Sequence, residues 1–360
     1  MSAVATARAL PAAATTRSAH WDAWKGVAIL AVITIHAGAV ALGFPADSPT
    51  AQFGLMLRQT VNFAVPLFLA MAGYFAVGAG PAAGVPSWRQ RAARLLPPYL
   101  FWTLVTVALR RPGHFQSGSL ILEDVLLGKG IGIGYYVIVL LQCLLILPLI
   151  LRLKTLRGHL VAMALVTAAA MGLHYALQLG HANHPLADFP MNALPFYAWY
   201  PFFHAGVVAR RFGQGPAAWP ARGLALWAAL FVAGVGAAMV EASVLSAMGH
   251  REFAASQIKL SSFAASLALF MCAVGLQGRG VRDAPPWLAA IGRRSYAIYL
   301  THGLALTGVH AILRMDALGL VARQGLYVPL CVLLTAIACM AGIRACEALL
   351  PDSARRFAFG

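Results

Sequence analysis

The apolar positions of this chain fall in long blocks separated by short polar connections rich in Pro and Gly. About 20 apolar residues in a helix rising 1.5 Å each cross the ~30 Å hydrocarbon layer of a bilayer. Ten segments meet that description: 24–43, 59–79, 95–109, 133–151, 159–179, 192–209, 223–241, 258–276, 295–313 and 326–349. The third is short and carries Pro97-Pro98 near its start. The pattern predicts an all-α polytopic membrane protein with about ten transmembrane helices in one domain, residues 21–350. A short disordered cytoplasmic tail is expected over 1–20 and a second cytoplasmic tail over 351–360. None of the connections is long enough for a separate soluble domain.

Charge gives the sidedness. Of 27 Lys and Arg, 19 fall on one set of alternate connections. The other set carries Arg58, Arg110, Arg111, Lys129, Arg251, Lys259, Arg314 and Arg323. The positive-inside rule then places both termini in the cytoplasm. Composition agrees: 60% of the 360 residues are hydrophobic and only 11% are charged, and the mean hydropathy is +0.74. Those values exclude a soluble enzyme, a disordered chain and a disulfide scaffold. The net charge of +16 is accounted for by topology, with no nucleic-acid partner required. The five cysteines lie in apolar runs without metal-type spacing. Residues 1–20 lack the apolar region of a secretory signal.

Ionisable groups at membrane depth are functional candidates by default. His36 lies eleven residues after Lys25, which is ~16 Å along a helix and close to three full turns. Lys25 at the membrane edge and His36 near its middle therefore share a face. Asp22, one turn before Lys25, is placed to pair with it. In the ninth segment Ser295, Tyr299 and His302 share a face at i, i+4 and i+7. In the second, Asn62, Pro66 and Gly73 do the same, proline freeing a carbonyl and glycine admitting a neighbour. Arg91 and Arg94, a turn apart, present two forked donors to a phosphate. Each feature taken singly also fits ordinary helix packing or a topology signal. The glycine-rich run 128–134 lacks the strand-loop-helix setting of a phosphate loop. His181, His184 and Asp188 do not amount to a metal site, and Glu241 is expected at the water boundary.

Together the motifs resemble the integral-membrane acyltransferase 3 family. Asp22-Ala-Trp-Lys25 followed by His36 is similar to its first-span signature, with lysine where arginine is usual. Val65 to Tyr74 resembles the second-span pattern, with Ala72 where many members carry serine. Arg91-x-x-Arg94 before Pro and Tyr, Tyr135-Tyr136 with Pro148, and Ser295 to His302 resemble three further motifs over about residues 20–345. The resemblance implies transfer of an acyl group, commonly acetyl, from cytoplasmic acyl-CoA to a hydroxyl. The acceptor would be a glycan or a lipid-linked sugar, and the enzyme a multi-pass protein of the inner (plasma) membrane. Acyl-CoA is a co-substrate, and no permanently bound cofactor or metal is implied. On that reading Lys25, Arg91 and Arg94 hold the donor, with Asp22 supporting Lys25. His36 is the general base, His302 and Tyr299 assist, and Asn62, Tyr136 and Ser295 contact the acceptor. No serine or cysteine nucleophile is required, so direct transfer is expected. The rival is a transporter or flippase of a lipid-linked sugar. It lacks the paired interrupted segments that two transporter halves would show.

Overall fold

In the computed structural model, which describes residues 18–78, 88–181, 184–212, 221–277, 284–314 and 319–360, the first span is α1 (Ala19–Gly38) with a turn of 3-10 helix to Gly43. Of the tail expected over 1–20, residues 1–17 lie outside the described residues, and Ala19 and His20 already belong to α1. The second span starts well before position 59, as α2 (Pro49–Val61). Pro49 occupies the first helical turn and Ser48 Oγ accepts from Ala51 N at 3.2 Å, a preset φ and a capped donor that start a helix there. After a break at Asn62-Phe63 it resumes as α3 (Ala64–Ala76). Pro66 has no N–H to give the Asn62 carbonyl, which explains the break. The stretch Pro49–Ala76 is long and apolar enough to cross a membrane, and Arg58 therefore lies inside it.

The remaining helices are α4 (Trp88–Arg110), α5 (Gly118–Leu126), α6 (Tyr135–Ile150), α7 (Leu156–Tyr175) and α8 (Tyr200–Phe212). They continue as α9 (Ala221–Ala247), α10 (Arg251–Ala255), α11 (Leu260–Gln277), α12 (Pro286–Arg293), α13 (Ser295–Arg314), α14 (Gln324–Leu349) and α15 (Asp352–Phe359). Among the described residues there is no strand, and 8 helical stretches are long and apolar enough to span a bilayer. The segments predicted at 133–151 and 192–209 form the shorter helices α6 and α8.

Before α8 the chain is irregular from Pro190 to Trp199, apart from a 3-10 turn at Phe196–Ala198. Irregular backbone inside a membrane protein needs side-chain partners. Gln142 of α6 supplies two of them, donating to Leu194 O at 3.0 Å and accepting from Phe196 N at 3.0 Å. Trp199 Nε1 donates to Ala193 O at 2.7 Å.

Two helix crossings are backbone against backbone. A Cβ on Gly73 would lie 1.9 Å from Phe203 O, and one on Gly206 would lie 1.9 Å from Ala70 O, so α3 and α8 fit only as glycines. Gly26 and Gly292 seat α1 on α12 likewise, a Cβ on Gly292 meeting Asp22 O at 1.6 Å. Apolar side chains such as Leu165, Leu226, Val232 and Val240 point outward from α7 and α9, the surface a lipid phase would cover. Within residues 351–360, expected as a cytoplasmic tail, lies α15, whose Ala358 O accepts from Trp102 Nε1 of α4 at 2.8 Å.

Candidate active site

The α1–α12 crossing decides where Lys25 lies. Its close approach sets Lys25 beside Arg293 and Ser295, the junction of α12 and α13, and all three line one cavity of ≈ 290 Å³. Phe68, Met71, Leu95 and Leu140 form apolar walls, and Tyr136 and Tyr299 line the same space. Lys25 Nζ is 3.3 Å from Asp22 Oδ1 and 5.2 Å from the centre of the Phe75 ring, so the cation is anchored on two sides. The pairing of Asp22 with Lys25 is thus present.

A chain of rings leads on from this cavity. Tyr136 and Tyr299 have centroids 5.3 Å apart, Tyr299 and His302 6.1 Å, and His302 and His36 5.4 Å. Residues from α1, α6 and α13 converge there. His302 is fully buried, and its Nδ1 contacts Tyr299 O at 2.8 Å and Ile298 O at 3.2 Å. Carbonyls only accept, so Nδ1 carries the proton and Nε2 keeps its lone pair. That Nε2 is buried without a hydrogen-bond partner among the described residues. His36 is half-buried. Tyr299 donates its hydroxyl proton to Ile133 O, which anchors the 128–134 loop to α13. In this arrangement that proton is not available to an oxyanion.

The other sequence candidates are distributed differently. Tyr136 and Ser295 join Lys25 on the cavity wall. Asn62 is buried elsewhere, donating to Gln59 Oε1 at 3.1 Å and Ser256 O at 3.2 Å. Gln59 in turn accepts from the fully buried Lys259 at 2.6 Å. Arg91 turns to the end of α3 and donates to Ala76 O at 2.6 Å. Arg94 lines a separate cavity of ≈ 800 Å³ together with Arg293, Arg294, Arg355 and Arg356. The two turn-spaced arginines thus do different things. Among the described residues no group of three His, Cys, Asp or Glu side chains is placed to hold a metal.

Arg58 is the site residue that sequence reasoning missed. With the span drawn from 59 it counted as a connection residue. In the structure it lines a cavity of ≈ 350 Å³ with Tyr135, Trp199, Asn192, Glu252 and Gln257, and its Nε donates to Ala255 O at 2.7 Å. The helix-start signal at Ser48-Pro49 would have moved it inside the span. Gln257 Oε1, in the same cavity, is buried without a partner among the described residues; nothing in the linear pattern marks it.

A family model described as an acyltransferase domain matches residues 19–343, most of the chain and every residue of this ring cluster. The chain belongs to the acyltransferase 3 family. No curated protein and no solved structure matches it. As a member of this family of membrane acyltransferases, the protein carries Lys25, His36 and the Ser295–His302 run within the matched region, while α15 lies beyond it.

Proposed function

We propose that this acyltransferase 3 protein moves an acyl group, acetyl in the simplest case, from cytoplasmic acyl-CoA to a sugar hydroxyl of a surface polysaccharide or exopolysaccharide precursor. The plasma (inner) membrane is its place of work. The observation that carries the reading is the cavity from Lys25 to Tyr136 and Tyr299, one ring short of the His36–His302 pair. An apolar cavity with a cation in its wall suits a pantetheine arm whose phosphates stay at the surface.

His36, neutral, takes the acceptor hydroxyl proton as the oxygen attacks the thioester carbon. The C–O bond forms, the C–S bond breaks, and the proton passes from the imidazolium to the leaving CoA sulfur. Arg58, which lies within the second span, is the cation assigned to the oxyanion that develops at the carbonyl. His302, its Nδ1 proton tied to the α13 backbone, holds an accepting nitrogen beside His36. Lysine at position 25 supplies charge without a guanidinium fork.

The acceptor enters through the Arg58 cavity, which shares no lining residue with the Lys25 cavity. Aromatic faces (Tyr135, Trp199) beside amide and carboxylate groups (Asn192, Gln257, Glu252) are what a sugar ring requires: a stacking surface and paired hydrogen bonds. Gln257→Leu removes the unpartnered Oε1, so folding is expected to be unharmed while the KM for the acceptor rises about tenfold. Steady-state kinetics with varied acceptor and saturating donor checks this, and an unchanged KM removes Gln257 from the acceptor site.

The deciding experiment follows labelled acetyl-CoA incubated with purified protein in nanodiscs and a surface-glycan extract. Label moving into glycan supports the reading. Absence of any acetyl-CoA binding turns it towards a transporter.

A further inference from the structure

We propose that α15 clamps the phosphorylated nucleotide end of the acyl donor, completing a binding cavity that the rest of the family domain leaves open. The inference rests on the acyl-CoA reading above. Its ground is the ≈ 800 Å³ cavity in which, among the described residues, five arginines, Arg94, Arg293, Arg294, Arg355 and Arg356, face two carboxylates, Glu347 and Asp352. A cavity of this size is in the range of small-molecule sites.

The guanidinium groups come from three places in the fold, which makes the convergence a tertiary fact. Arg94 comes from α4, Arg293 and Arg294 from the α12–α13 junction, and Arg355 and Arg356 from α15. Glu347 grips Arg294 through both its oxygens, at 2.9 and 2.7 Å, and its backbone carbonyl accepts from Arg355 Nη1 at 3.1 Å. Arg355 Nη2 also bonds Asp352, whereas its Nε is buried and unpartnered among the described residues. Arg94 and Arg356 form no ion pair among the described residues. The charges of Arg94 and Arg356 therefore stay unmatched among the described residues, and forked guanidinium donors suit phosphate oxygens.

Position selects the ligand. Leu95, Arg293 and Tyr296 line both this cavity and the Lys25 cavity, so a molecule with its phosphates among the arginines continues directly into the apolar passage towards His36. An anionic lipid has the same headgroup chemistry, and the vesicle arm of the test below separates the two ligands. α15 is held by its apolar side, Phe357 against Phe101 at 5.6 Å and Phe359 against Trp102 at 6.0 Å, while its arginines line the cavity. α15 lies beyond residue 343, where the family match ends.

The test is equilibrium binding of CoA, of the nucleotide bisphosphate half of CoA and of pantetheine to the full chain in neutral-lipid nanodiscs. Arg356→Ala is expected to weaken CoA and its nucleotide half by about tenfold. Arg355→Ala combined with Arg356→Ala weakens them further, pantetheine binding stays as it was, and Arg356→Lys recovers only part of the loss. Thermal midpoints of the variants establish that they are folded. Unchanged CoA affinity in a folded double variant overturns the clamp and leaves the acyltransferase reading standing. A double variant that loses only binding to anionic-lipid vesicles assigns the arginines to lipid and overturns it as well. Failure of the wild-type chain to bind CoA brings down the donor reading and the clamp with it.

Discussion

His36→Ala is expected to lower the rate of acyl transfer by about 10²–10⁴-fold, the usual contribution of a positioned general base. The side chain is half-buried beside His302 at the end of the ring chain, and removing it leaves no partner unsatisfied, so expression and membrane insertion should survive. His36→Gln separates chemistry from packing. Glutamine keeps polarity and approximate size but cannot take a proton near neutral pH. If His36 acts as the base, both variants are inactive while donor binding persists. If it only packs, Gln restores turnover, and the proposed mechanism is lost. Initial rates with labelled acetyl-CoA, alongside CoA binding to the same preparations, read both quantities.

The second large effect is expected on stability. Gly206→Ala places a methyl group 1.9 Å from Ala70 O and 2.6 Å from Tyr74 N, against backbone that has no rotamer to change. The α3–α8 crossing has to open, at about 3 kcal/mol or more, the upper end for overpacking. Gly236 of α9 provides the control, since a Cβ there meets nothing within 4 Å. Gly236→Ala should be neutral or slightly stabilising, because alanine is the better helix former by roughly 0.5–1 kcal/mol. Thermal unfolding in detergent of the matched pair decides it; equal midpoints remove the tight crossing. α3 also carries Phe68 and Met71 of the Lys25 cavity, so on the proposed donor reading surviving Gly206→Ala protein should bind CoA more weakly.

Both predictions depend on positions that stood out in the sequence for different reasons. His36 did so because an imidazole eleven residues beyond Lys25 is rare in an apolar block, and a helix has only one register for it. Gly73 did so as a small residue on the Asn62–Pro66 face, yet nothing linear names Phe203 O as the atom that approaches it. The Asn62-Phe63 break was foreseeable from Pro66. Apolar density alone puts the start of the second span at 59, whereas the helix-start signal Ser48-Pro49 puts it at α2. That one shift hid Arg58.

The arginines show the same limit. Arg91 and Arg94 are a turn apart, so spacing alone assigns them to one ligand. Their side chains reach different groups once α3 and α15 are packed around α4, Arg91 capping Ala76 O and Arg94 joining arginines from the α12–α13 junction and from α15.

Helical periodicity and hydropathy are local properties. They were enough to determine the all-α membrane class, the order of the spans, the shared face of Lys25 and His36, the run from Ser295 to His302, and through those motifs the acyltransferase resemblance. Which faces meet is not local. It depends on glycine contacts such as Gly26–Leu288 and Gly292–Asp22, and on buried polar groups finding partners across helices, as Gln142 does with Leu194 and Phe196. Only tertiary packing therefore decided that His36 lies against His302, that Arg58 turns inward to a second cavity, and that α15 returns to the arginine cavity. Each of those pairings joins residues whose separation along the chain carries no information about their distance in space.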